Sequence, residues 1–135
     1  MSEENVEIIR QGADAWSRQD ADAFLATLSP DVEWEDAMFW SEPMRVYRGR
    51  EEVREWFERA LVEPWESFRL EVEEGIPAGE DRVFAGGLVT GRGRGSGAET
   101  KVHGWSIFWI ANGLITRRRV FLDRAEALEA AGLSE

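Results

Sequence analysis

The sequence predicts an α+β domain in which helices cover one face of a curved antiparallel sheet. Apolar residues recur at helical spacing in the first half of the chain, whereas in the second half they alternate as they do in strands. The pair Asn112-Gly113 lies between two apolar runs and indicates a tight β-hairpin. Because no internal repeat and no long linker divides the 135 residues, we expect one domain spanning residues 1–135.

Three helices are predicted before the main run of strands. The first has a single apolar stripe, formed by Val6, Ile9, Ala13 and Trp16. Asp20 is expected to cap a short second helix, since its side chain can accept a hydrogen bond from a backbone N–H of the first turn. The third helix follows Gly49 and ends before Pro64, which cannot continue a helix.

A short strand is predicted between the second and third helices, because residues 31–36 alternate in polarity. Asp36 is the anomaly of this strand, since an acidic residue falls on the apolar face with Val32 and Trp34. Residues 37–48 show no period and are expected to pack as a loop that forms a lid or rim.

The second half of the chain is predicted to be a run of strands, which begins with residues 65–74 and 82–90. The run Gly91 to Gly97 lacks the Gly-Lys-Ser/Thr ending of a phosphate-binding loop, so we interpret it as a hairpin connection. Asp123 is expected to cap a last, short helix.

The hairpin from Lys101 to Asp123 predicts which side chains share a face. If Ala111 and Leu114 flank a two-residue loop, the register pairs Trp109 with Thr116, Ile107 with Arg118, Trp105 with Val120 and His103 with Leu122. The opposite face then carries, among others, Phe108, Ile110 and Phe121. Because neither face is cleanly polar, we expect helices over one face and a second subunit over the other.

Composition excludes several classes of partner. The net charge of −11 opposes binding to nucleic acid and to anionic membranes, so neither is expected as a partner. The chain has no cysteine, and its start is acidic without an apolar segment typical of a signal peptide. We therefore expect a cytoplasmic protein.

Short segments along the whole chain resemble one known family. They are RQD at 18–20, SPDVEW at 29–34, YRGRE at 47–51, NGLI at 112–115 and DRAEAL at 123–128, together with the first helix. In this order and spacing they resemble the nuclear transport factor two-like superfamily, and within it the SnoaL-like group. The resemblance implies a cone of curved mixed or antiparallel sheet, with three helices over its concave face and a short C-terminal helix. It also implies a pocket between the sheet and the helices, and a homodimer formed through the outer sheet face.

The same superfamily includes ketosteroid isomerase, whose mechanism uses an aspartate base and an oxyanion hole of a tyrosine and a protonated aspartate. Carried over by position, the base falls on Asp36. The tyrosine falls on Gly12 and the protonated aspartate on Trp105, so two of the three catalytic groups are changed. An indole N–H can still donate one hydrogen bond.

The resemblance and the predicted register together indicate a candidate site. Asp36 is the candidate general base, His103 is the only histidine and suits proton transfer near neutrality, and Arg118 could hold a ligand oxygen. The expected pocket-lining residues are Trp34, Tyr47, Trp105, Ile107, Val120 and Leu122. The three candidate catalytic residues are one carboxylate, one histidine and one arginine, which are too few ligands of the right type for a metal site. We also expect no cofactor.

Each of these residues also has a purely structural interpretation. Asp36 and Arg118 can form a buried salt bridge, His103 can be exposed at the strand start, and Trp105 can be a packing residue. Three classes of function therefore stay open. They are a cofactor-independent isomerase, cyclase or (de)hydratase, a non-catalytic pocket for a small apolar or acidic metabolite, and a dimeric interaction module.

Overall fold

The computed structural model describes residues 2–36 and 45–133. The elements in chain order are α1 (Ser2–Ser17), α2 (Ala21–Leu25), β1 (Leu28–Asp36), β2 (Arg45–Arg48), α3 (Gly49–Phe57, continued by a π-helical turn at Glu58–Val62), β3 (Trp65–Pro77), β4 (Arg82–Gly93), β5 (Glu99–Ala111), β6 (Leu114–Phe121) and α4 (Arg124–Ala130). Asp20 and Asp123 cap α2 and α4 as predicted, through hydrogen bonds to the backbone N–H groups of Ala23 and Glu126.

The strands form one mixed sheet in the order β2-β1-β6-β5-β4-β3. β1 runs parallel to β6, and every other pair of neighbours is antiparallel. α1 packs on β3 and β4, and α3 packs on β1, so these helices lie over one face of the sheet. The predicted α+β class is confirmed.

Two apolar clusters lie on the two faces of this sheet. The larger one lies under the first three helices and is rich in aromatic rings, among them Trp16, Phe24, Trp34, Trp56 and Phe57. The smaller one joins α4 to the opposite face, and its members include Phe84, Ile107, Phe121, Ala127 and Leu128. The C-terminal helix therefore covers part of the outer sheet surface.

Residues 45–48 correct the prediction of a loop that continues to Arg48. They form β2, which pairs antiparallel with the end of β1 and sets Tyr47 opposite Trp34. Four residues are too few for a period to be visible in the sequence. The rest of the predicted lid, residues 37–44, lies outside the described residues.

The hairpin register is correct only next to the turn. Asn112 (φ 53°) and Gly113 (φ 78°) adopt the predicted positive φ angles, and Ala111 pairs with Leu114. The register then shifts by one residue, so that Trp109 faces Arg117 instead of Thr116. Thr116 is thus the extra residue of a β-bulge, and its hydroxyl donates to the carbonyl oxygen of Trp109 at 3.2 Å.

This bulge overturns the predicted face assignment. The observed pairs beyond it are Phe108 with Arg118, Ser106 with Val120 and Trp105 with Phe121. Phe108 and Ile110 therefore belong to the main core under the helices, and Phe121 belongs to the cluster under α4. The apolar residues that were expected to point outward and cover a dimer interface are already buried within one chain.

Candidate functional site

A cavity lies between α1 and the concave face of the sheet. Most of its wall is apolar, with contributions from Ile9, Leu70, Val72, Val89 and Phe108. The cavity has a volume of about 60 Å³. That volume is several times what one water needs, so a group of several atoms can enter the cavity.

Arg118 and Ser106 supply the polar part of the wall. Arg118 is only 3% exposed. Its Nε donates to the Ser106 hydroxyl oxygen at 3.2 Å, and its Nη1 donates to the carbonyl oxygen of Glu35 at 3.0 Å. The guanidinium lies 4.6 Å from the ring centre of Trp34, which adds a cation–π contact.

Burial disfavours the charged guanidinium and lowers the pKa of Arg118 to about 10, although Asp36 and Glu35 oppose this change. Arg118 therefore stays protonated at neutral pH. A cation held among apolar groups in this way is expected to depend strongly on its acidic neighbours.

Asp36 lies at the end of β1 and is 4% exposed, so the carboxyl group is buried as its place on the apolar face predicted. Its Oδ2 accepts a hydrogen bond from Trp56 Nε1 at 3.0 Å. Its Oδ1 lies 3.8 Å from Arg118 Nη1, which is an ion pair rather than a direct hydrogen bond. Asp36 is not among the residues that line the cavity.

Trp34 lines the cavity next to Arg118 and is 1% exposed. Its indole N–H is buried and has no acceptor within residues 2–36 and 45–133. A buried donor without an acceptor is uncommon in folded proteins and calls for a specific explanation.

The structure brings Trp34, Asp36 and Arg118 together, but it leaves His103 apart from them. The His103 side chain is 56% exposed, and its Nε2 lies 3.4 Å from Glu73 Oε1. Its ring stacks on Trp105, with centroids 6.4 Å apart. Trp105 lies on the opposite sheet face from Phe108 and Arg118, because it is one residue out of phase with them.

The other predicted lining residues do not border this cavity either. Ile107 packs in the cluster under α4, and Leu122 is 68% exposed. Val120 is buried on the same face as Arg118. Tyr47 is buried beside Trp56, and its hydroxyl oxygen accepts a hydrogen bond from Arg59.

Sequence reasoning missed Ser106 and Phe108. The predicted register contained no bulge, and it therefore placed these two residues on the face away from Arg118. The carry-over to Gly12 did identify a lining position. The position of the protonated aspartate was assigned to Trp105, which does not line the cavity, whereas its two neighbours Gly104 and Ser106 do.

Comparison with known proteins agrees with this architecture. The family model described as SnoaL-like domain matches residues 9–118. No curated protein matches the chain in sequence. Among the described residues, no helix is long and apolar enough to cross a membrane, and no three acidic or histidine side chains are grouped so that they could hold a metal ion.

Solved structures with the same fold share little sequence with this chain. An NTF2-like protein of unknown function from Burkholderia pseudomallei is 22% identical, with a TM-score of 0.70 over 93% of this chain and 95% of that one. RV0760c from Mycobacterium tuberculosis, in complex with estradiol-17beta-hemisuccinate, is 20% identical, with a TM-score of 0.74 over 90% and 95%. A protein with a ketosteroid isomerase-like fold from Catenulispora acidiphila, in complex with trimethylamine, is 19% identical, with a TM-score of 0.74 over 95% and 94%.

Proposed function

Because the chain belongs to the SnoaL-like domain family, we propose that it binds a small, mostly apolar molecule with one oxygen acceptor in the cavity under α1. The apolar wall of the cavity supports an apolar ligand body. Two proteins of the same fold have been solved with small molecules, which supports a ligand-binding role at this general level.

The observation that carries the proposal is the buried N–H of Trp34, which has no acceptor among the residues that the structure describes. Leaving a buried donor without an acceptor costs about 1–3 kcal/mol. Trp34 lines the cavity, but its indole nitrogen has almost no accessible surface. The proposal therefore includes a small movement of the ring, through which the N–H donates to an oxygen atom of the bound molecule. The neighbouring Ser106 and Arg118 give that end of the cavity its polar character.

Catalysis with Asp36 as general base is the second candidate, and it stays a prediction. Its support is the burial of a carboxylate close to the cavity wall, since carboxylates in such settings serve as bases in other enzymes. Binding is the better supported function, because Trp56 and Arg118 already hold Asp36 and the cavity wall does not include it. With His103 on the outer face, a catalytic unit of Asp36, His103 and Arg118 would require a rearrangement.

A homodimer through the outer sheet face also stays a proposal, on different residues from those first expected. The proposal no longer rests on Phe108, Ile110 and Phe121, because all three are buried within one chain. It rests on two apolar residues of the outer face, since Ile76 is 37% exposed and Trp105 is half-buried there. Light scattering over a concentration series tests this proposal. The mass of a single chain at every concentration would reject it.

Trp34→Phe tests the proposed binding function, because it removes the N–H and keeps an aromatic ring. Two probes of matched shape are acetylcyclohexane and 2-cyclohexylpropene, in which a CH₂ group replaces the ketone oxygen. We expect Trp34→Phe to weaken ketone binding by about three- to tenfold in calorimetry and to leave hydrocarbon binding nearly unchanged, since one hydrogen bond is lost.

Trp16→Phe is the matched control, since Trp16 lines the same cavity but its N–H is not a buried donor without an acceptor. It should affect both probes equally. If Trp34→Phe also affects both probes equally, or neither, the proposed role of the Trp34 N–H is wrong.

A further inference from the structure

We infer that the cavity selects a neutral carbonyl compound and rejects carboxylates, because the positive charge of Arg118 is already balanced by Asp36. This inference rests on the proposed function and names the chemical class of its ligand. It assigns Asp36 the role of a specificity-determining residue that sets the charge of the site.

The charge inventory of the cavity leads to this inference. Arg118 is the only cationic residue among the described residues that line the cavity. Its side chain and that of Asp36 are 3% and 2% exposed, and their nearest charged atoms are 3.8 Å apart. Glu35 adds a second carboxylate nearby, where its Oε1 accepts a hydrogen bond from the backbone N–H of Val120 at 3.0 Å.

A buried guanidinium by itself would favour an acidic ligand, since arginine commonly binds carboxylates. Here a bound carboxylate would add a negative charge to a buried pair that is already neutral. An ion that is removed from water without its own counter-charge is strongly disfavoured. Repulsion from Asp36 and Glu35 acts in the same direction.

A neutral carbonyl avoids this problem. Its oxygen is the acceptor that the proposed function assigns to the buried Trp34 N–H, and it adds no net charge to the site. The apolar wall accommodates the rest of such a molecule without desolvating a charged group. Ketones, quinones, esters and lactones all meet this description.

Asp36→Asn tests the inference, because it removes the balancing charge and keeps a side-chain oxygen for Trp56 Nε1. The probes are acetylcyclohexane and cyclohexanecarboxylate, which have nearly the same shape. In calorimetry at neutral pH, we expect the wild-type protein to bind the ketone at least about tenfold more tightly than the carboxylate. In Asp36→Asn the preference should invert, since a neutral amide then replaces the buried carboxylate that lies closest to Arg118.

Asp14→Asn is the control, since it removes one negative charge from an exposed position on α1 and should keep the wild-type preference. Equal or tighter binding of the carboxylate to the wild-type protein, with no gain in Asp36→Asn, overturns the inference and leaves the proposed binding function intact. If neither probe binds to any variant, the proposed function fails, and this inference fails with it.

A second measurement keeps the test decisive if Asp36→Asn does not fold. In the wild-type protein, binding of cyclohexanecarboxylate should strengthen as the pH falls toward the pKa of the ligand, because the neutral acid is the form that binds. The affinity of acetylcyclohexane should stay constant over the same range. A carboxylate affinity that does not change with pH would also overturn the inference.

Discussion

Replacing Gly12 with alanine should stabilise the protein and weaken ligand binding. Gly12 lies in the middle of α1 and lines the cavity. Among the described residues, a Cβ atom at this position would come within 4 Å of the Thr27 hydroxyl oxygen alone, at 3.9 Å, which is an ordinary contact. Packing alone therefore gives no reason for a glycine here.

The magnitude follows from two contributions. Alanine is favoured over glycine in a helix interior by about 0.5–1 kcal/mol. A methyl group that becomes buried against the cavity wall adds up to about 0.8 kcal/mol. We therefore expect Gly12→Ala to raise the free energy of unfolding by about 0.5–2 kcal/mol. Urea unfolding should show a higher midpoint with an unchanged slope.

Binding should change in the opposite direction, since the methyl group occupies part of a small cavity. Calorimetry with acetylcyclohexane should show weaker binding to Gly12→Ala than to the wild-type protein. Greater stability together with weaker binding is the pattern expected where a residue is kept for a site rather than for the fold.

Gly87→Ala is the matched control for Gly12→Ala, because Gly87 also lines the cavity but has no room for a side chain. A Cβ atom there would lie 2.6 Å from the carbonyl oxygen of Glu71. Gly87→Ala should therefore lower stability. The reasoning is refuted if Gly12→Ala destabilises the protein as Gly87→Ala does, or if it leaves ketone binding unchanged.

Two further predictions concern the ion pairs. Arg118→Ala should lower the free energy of unfolding by about 3–5 kcal/mol, because it removes the positive charge beside the buried Asp36 carboxylate. The double change of Asp36→Leu with Arg118→Met should lower the free energy of unfolding, measured in urea, by less than the sum of the two single changes. Hydrogen bonds from Arg124 at 2.9 and 2.6 Å lower the pKa of Glu74 from its ordinary value of 4.5. This stabilisation is therefore complete above pH 4.5 and is lost as the pH falls through the lower folded pKa. Urea unfolding over a pH series should show Glu74→Gln less stable than wild type at neutral pH and equal to it in acid, whereas a constant difference would contradict this explanation.

Much of the fold was predictable because its signals are local. Asp20, Asp123 and the Asn112-Gly113 turn act within a few residues of their own position, and each behaves as the sequence predicted. The burial of Asp36 was also predictable, since the alternation along β1 puts it on the same face as Trp34. These features depend on one strand, one helix end or one turn at a time.

The arrangement of the site was less predictable because it depends on contacts between distant segments. Whether the Trp34 N–H finds an acceptor is decided by packing against other parts of the chain, and no sequence pattern records it. The interpretation of His103 as an exposed residue is confirmed. Its separation from Arg118 depends on the register of β5 with β6, which the sequence did not specify correctly.

The bulge at Thr116 explains why one undetected residue changed the whole site. Both faces of β5 and β6 carry apolar side chains, so the hydrophobic pattern did not favour one register over the other. With a regular ladder Arg118 would lie opposite Ile107, on the face that α4 partly covers. The extra residue brings Arg118 opposite Phe108 instead, where it meets Trp34, Asp36 and the cavity. The chemistry of the site therefore depends on the hairpin turn and the bulge together, because the turn fixes the start of the register and the bulge decides which face receives the arginine.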